Sequence, residues 1–208
     1  SFLYAILPFT MFFDRMALAD SLLAMFGIWS LVFAAKYAKT LQTEYAIYLG
    51  FTIGGGLLTK SPAMIFYLWA LLVILFTVDL KKIKIKRLAK IVWGLLLVLL
   101  ISQIMYAILR LGVGFQMIGS RNLDYVFTIK EVLGHPLSPL LGNMETTANW
   151  LFLLLTPTVL LLGVLGYLNS KTRRQYLLLM LVSLAPLLFQ AFIAKVYTSR
   201  YILYAVLP

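Results

Sequence analysis

Long continuous apolar runs, broken by short polar connections, dominate the chain. The strongest are 91–111, 151–168 and 176–194, each near the roughly 18–20 residues that an α-helix needs to cross a bilayer. Strands of a membrane barrel would alternate apolar and polar over about ten residues; these runs do not. The pattern therefore predicts an all-α, polytopic helical membrane bundle. Spans are expected at 2–13, 16–35, 45–59, 63–78, 91–111, 151–168 and 176–194, with a last span starting at Arg200 and cut short. The spans at 45–59 and 63–78 are short, about 24 Å at 1.5 Å per residue, and need polar caps or local thinning at their ends.

The polar positions sort onto two faces. One holds short basic connections: Lys36 and Lys39, the run Lys81, Lys82, Lys84, Lys86, Arg87 and Lys90, then Lys171, Arg173 and Arg174. Excess Lys and Arg in short loops marks the cytoplasmic side. The other holds Asp14, Arg15, Asp20, Lys60, Arg200 and a stretch of nearly 40 residues, 112–150. A loop this long inside a compact architecture is usually functional or disordered, and its aromatic and apolar content argues against disorder. It contains Arg121, Asp124, Lys130, Glu131, His135 and Glu145 among breakers such as Gly119, Gly134, Ser138, Pro139, Gly142 and Asn143. Apolar spacing over 125–133 predicts a short helix lying in the membrane interface. The chain reads as one transmembrane domain, an internal piece of a larger protein, in the inner or plasma membrane.

Composition agrees. The 208 residues are 62% hydrophobic and 12% charged, against about 25% charged in soluble domains, and the mean hydropathy is +0.96. The net charge of +11 then speaks of orientation and anionic headgroups rather than nucleic acid. With no cysteine and one histidine, disulfides are excluded and a zinc site is argued against. No cofactor and no metal are expected.

Two constellations on the polar face can carry chemistry. Asp20 sits about 8 Å deeper along its helix than Arg15, a depth at which an acid needs a partner or a wet cavity. It is read either as a site residue, or as half of a buried ion pair with Arg15 or another basic residue, or as a helix cap within a bent span. Around Lys60, Pro62 suits a first helical turn and Ser61 an N-cap; the free N–H groups and the ammonium could hold an anion. The competing reading has Lys60 reaching out to the interface. Gly54, Gly55 and Gly56 allow close helix approach. Arg110, Arg121 and Arg200 are further cations able to grip phosphate or simply to anchor at the interface.

These residues resemble a known pattern. Asp14, Arg15 and the stretch to Asp20 and Ser21 resemble the helix start of dolichyl-phosphate-mannose protein mannosyltransferases, with Ala19 where those have Leu. Leu58, Thr59 and Lys60 are similar to the Thr-Lys-Gly motif of the lipid A aminoarabinose transferase. Arg121, Asp124 and Tyr125, followed by His135, resemble the outer loop of bacterial relatives, and Arg200 with Tyr201 their next span start. The resemblance, to glycosyltransferase family 39, implies the helical GT-C fold. It also implies transfer of a sugar from a polyprenyl-phosphate donor to a protein, lipid or glycan acceptor outside the cytoplasm. Arg15, Lys60 and Arg200 are then the phosphate-binding candidates, with Asp14, Arg121, Asp124, His135 and Tyr201 as further outer-face candidates. The main catalytic acid is expected before residue 1, leaving Asp20 as a supporting acid. A fragment of a secondary transporter, or a non-catalytic lipid-binding subunit, is the competing class. Transporters gather binding groups near the bilayer midplane, whereas here the polar residues gather at one face.

Overall fold

The computed structural model describes residues 10–11, 15–16, 19–78, 84–135, 137–168 and 173–206. Asp14, Lys81, Lys82, Lys171 and most of the expected span at 2–13 lie outside them. The described residues are helical with no strand among them, as expected of an all-α membrane bundle. Among the described residues, three helices are long and apolar enough to cross a membrane: Ala19–Thr40, Ile85–Leu111 and Arg173–Ile193.

The chain forms two compact units. The unit Ala19–Gly112 contains α1 (Ala19–Thr40), α2 (Thr43–Thr59), a 3₁₀ turn (Ser61–Met64), α3 (Ile65–Thr77) and α4 (Ile85–Ala107), which ends in a further 3₁₀ turn. Helix α2 packs against both α1 and α4, and α1 also against α3. The core is Leu23, Leu49, Ile53, Phe66 and Trp69, all essentially inaccessible. The glycine run in α2 permits this convergence. A Cβ on Gly54 would fall 2.6 Å from the Met105 sulfur, one on Gly55 2.5 Å from the Phe26 ring, and one on Gly56 2.8 Å from the Phe66 ring. Three consecutive glycines thus admit three different helices, the close approach on which membrane helices rely for dispersion contacts. Hydroxyls add cross-links: Ser30 meets Thr52 at 3.2 Å, and Tyr67 meets Ser102 at 2.6 Å.

Several boundaries differ from those read off the apolar runs. Helix α1 continues through Lys36 and Lys39, and α4 begins before Lys86 and Arg87. Apolarity marks where lipid contact stops, whereas Lys and Arg are themselves good helix formers, so the helices overshoot into the basic ends. Helix α1 terminates at Leu41, whose φ of 54° is left-handed. Its N–H donates to the Tyr37 carbonyl at 2.8 Å, closing the helix where glycine is the usual residue.

The second unit groups Ser1–Leu18 with Val113–Pro208. Its helices are α5 (Phe115–Tyr125), α6 (Ile129–Gly134), α7 (Leu137–Leu168), α8 (Arg173–Ile193) and the short α9 (Leu203–Val206), with a 3₁₀ turn over Ser199–Ile202. The helix expected over 125–133 is divided. Val126 forms an isolated antiparallel bridge with Ala194. Helix α6 starts afresh at a capping box, in which the Thr128 side chain accepts from the Glu131 N–H while Glu131 accepts from the Thr128 N–H. Ser138, Pro139, Gly142 and Asn143 do not break the chain but lie in the first turns of α7. Proline in a first turn forfeits no intrahelical bond, so the apolar run from 151 onward is only the later part of a 32-residue helix.

Candidate functional site

Asp20 lies in the first turn of α1 and Lys60 at the junction between α2 and the 3₁₀ turn, 40 residues later. The fold brings them together: Lys60 Nζ donates to Asp20 Oδ1 at 2.5 Å. The Asp20 side chain is 4% exposed and that of Lys60 27%. Of the readings open from the sequence, the geometry realises an ion pair for Asp20 with Lys60 as its partner. Lys60 does not simply reach outward.

The backbone around Lys60 is held from both sides. Its φ of −157° and ψ of 145° are extended, which turns the chain between two helices. Its N–H donates to the Gly56 carbonyl at 3.0 Å, and its own carbonyl accepts from the Ala63 N–H at 3.1 Å. Thr59 also donates to the Gly56 carbonyl, at 2.6 Å. The N-cap of the 3₁₀ turn is Lys60 rather than the expected Ser61, and no side chain caps it. Pro62 sits in the first turn. The second carboxylate oxygen of Asp20 is buried with no hydrogen-bond partner among the described residues. A buried acceptor in that state costs about 1–3 kcal/mol, so the junction retains unused capacity to accept a proton-bearing group.

The other candidates belong to the second unit. Arg15 is exposed. Arg200 lies over the Tyr201 ring, 5.1 Å from its centroid, with a guanidinium nitrogen 3.4 Å from the Tyr201 hydroxyl. Arg121, Asp124 and His135 are exposed, and none of them makes an ion pair among the described residues.

A polar seam in this unit escaped the sequence reading. Asn143 Nδ2 donates to the Ala191 and Ala194 carbonyls, both at 3.0 Å, satisfying acceptors at the end of α8. The Thr147 and Tyr197 hydroxyls meet at 2.7 Å, and Trp150 packs on Tyr197 with ring centroids 5.0 Å apart. Burial pushes the Tyr197 hydroxyl above its usual pKa, against the lowering effect of Thr147. Lys195 reaches Glu131 at 3.6 Å, and its N–H donates to the Tyr125 carbonyl at 2.8 Å. The signal was present: Asn143, Thr147 and Trp150 are spaced four and three apart, one face of a helix.

The family model for dolichyl-phosphate-mannose-protein mannosyltransferases matches residues 1–106, just over half of the chain. The chain belongs to that family. It is accordingly a membrane glycosyltransferase of the GT-C type. No curated protein and no solved structure matches it. Arg15, Asp20 and Lys60 fall within the matched residues, whereas Arg121, Asp124, His135, Arg200 and Tyr201 lie beyond them.

Proposed function

We propose that this mannosyltransferase-family chain serves transfer of a hexose or pentose from a polyprenyl-phosphate donor to an extracytoplasmic acceptor, with Lys60 as the principal contact to the donor phosphate. The Asp20–Lys60 pair carries the reading. A carboxylate buried in a membrane bundle is retained at a cost, and its effect here is to hold one ammonium at a helix junction. That ammonium donates to Asp20 Oδ1. Cations placed at a phosphate stabilise the charge that develops as the sugar departs. Arg15 and Arg200 stay the further candidates for phosphate contact that the sequence offers. Asp20 acts by holding Lys60.

The experiment measures transfer from a polyprenyl-phosphate sugar, using the full-length protein in reconstituted membranes at matched levels of folded protein. Arg15→Ala removes an exposed charge without disturbing packing. A charge-assisted contact is worth about 1.5–3 kcal/mol, so transfer is expected to fall roughly ten- to a hundredfold. For the pair, Asp20→Leu combined with Lys60→Met avoids stranding either charge, since apolar replacement of a whole buried pair is often neutral for stability. That double variant is expected to fold and to lose transfer. Near-wild-type transfer by the double variant and by Arg15→Ala would falsify the phosphate assignment.

A further inference from the structure

We infer that the basic end of the Ala19–Gly112 unit holds an anionic phospholipid, its phosphodiester seated in the cleft between the end of α1, the start of α2 and the first turns of α4. The cleft has a volume of about 230 Å³ and is lined by Tyr37, Leu41, Thr43, Lys90, Trp93 and Gly94. That is below the roughly 300–1,000 Å³ of drug-sized pockets and suits a small headgroup. It lies at the opposite end of α1 from Asp20, about 26 Å away along the helix axis.

Four observations converge there. Lys36, Lys39, Lys84, Lys86, Arg87 and Lys90 are all exposed at this end, and none of them makes an ion pair among the described residues. The one acid on the facing helix start is Glu44. Helix α4 carries exposed apolar residues onward from the cleft, with Trp93 lining it at 63% exposed and Leu96 at 55% and Leu100 at 59% following. A ligand with a phosphate at one end and acyl chains at the other matches that succession of charge and then grease. A free phosphate has no use for the stripe, which is why the lipid is the occupant. Basic pockets at membrane helix ends bind anionic headgroups in this manner.

The cleft is also built rather than incidental. The Tyr37 hydroxyl donates to the Lys90 carbonyl at 2.6 Å, tying α1 to α4 beneath it. Gly94 makes that possible, because a Cβ there would collide with the Tyr37 hydroxyl. Leu41 lines the cleft from a left-handed backbone, a conformation disfavoured for a residue that bears a side chain. Strain of that kind collects at sites that need a particular side chain in a particular place.

The test titrates the detergent-purified full-length protein with phosphatidylglycerol or phosphatidylcholine carrying brominated acyl chains. Quenching assigned to Trp93 is read by difference from Trp93→Phe. Phosphatidylglycerol is expected to quench at about tenfold lower concentration. In the triple variant Lys86→Gln, Arg87→Gln, Lys90→Gln that preference is expected to vanish, since each basic residue contributes about fivefold. Thr43→Trp fills the cleft from an exposed position while leaving every charge in place, and is also expected to abolish the preference. Equal quenching by both lipids overturns the inference. So does preference surviving in Thr43→Trp, which would mean diffuse surface charge. Displacement of the lipid by millimolar inorganic phosphate would show a simple anion site and likewise overturn it.

Discussion

The two units hold their polar groups in opposite ways. In Ala19–Gly112 the helices meet through glycines and large apolar side chains, and the buried Asp20 carboxylate is matched to an ammonium from a distant turn. In the second unit α5 and α6 bury no side chain. They are fastened through main-chain groups, the Phe127 N–H to the Ile193 carbonyl at 2.7 Å and the Lys195 N–H to that of Tyr125, while the Asn143 side chain on α7 holds carbonyls at the end of α8. Tight apolar packing tolerates almost no change in volume. Polar stitching tolerates volume but not the loss of a donor. The first unit should therefore be sensitive to added atoms and the second to removed ones.

The largest effect should come from splitting the buried pair. Lys60→Ala leaves Asp20 buried and uncompensated, a loss of about 3–5 kcal/mol. The double variant Asp20→Leu, Lys60→Met should recover most of it, by thermal unfolding in detergent. Equal losses in both variants would mean that the pair contributes through shape rather than charge.

Glycine substitutions sharpen the contrast. Gly55→Ala must displace the Phe26 ring, and overpacking of that kind costs about 1–3 kcal/mol. Gly119→Ala in α5 and Gly142→Ala in α7 meet nothing within 4 Å and should be neutral or stabilise by about 0.5–1 kcal/mol, since alanine is the better helix former. If all three behave alike in denaturation, the close-packing account of the first unit fails.

Removal should matter in the second unit. Asn143→Ala deletes two donors to the α8 carbonyls, at about 0.5–1.5 kcal/mol each. Hydrogen exchange should accelerate around residues 190–197 while the first unit stays unchanged. Uniform acceleration through both units would contradict a local role.

The smallest effect is a pH dependence at α6. The Thr128 backbone and side-chain hydrogen bonds, with Lys195 nearby, hold the exposed Glu131 carboxyl below its usual 4.5. The folded value is the lower one, so its stabilisation is complete above the unfolded value and is lost as pH falls through the folded one. Amide protection over 128–132 should weaken only on acidification below the ordinary carboxylate range, and Glu131→Gln should remove that dependence.

Much of this architecture could be read from the residues. Runs too long and too uniformly apolar for anything but helices announced a membrane bundle, and the Lys and Arg clusters gathered at the helix ends. Asp20 and Lys60 stood out singly, because a charge near an apolar run is expensive wherever its side chain points. Helix ends were less legible, since apolarity reports the lipid boundary while capping and left-handed closure report where hydrogen bonding stops. The Leu41 terminus and the Thr128 capping box are cases of the second kind.

Composition and periodicity are one-dimensional, and they determined what each helix must do: bury an apolar surface and keep its charges at an end. They did not determine which charges meet. Asp20 finds Lys60 because α1 and α2 pack closely where Gly55 leaves room for the Phe26 ring, and Tyr37 finds the Lys90 carbonyl because Gly94 leaves it room. Such pairings join residues 40 or 53 positions apart, beyond any local period. Only the tertiary structure decides them, through the volumes that neighbouring helices leave open.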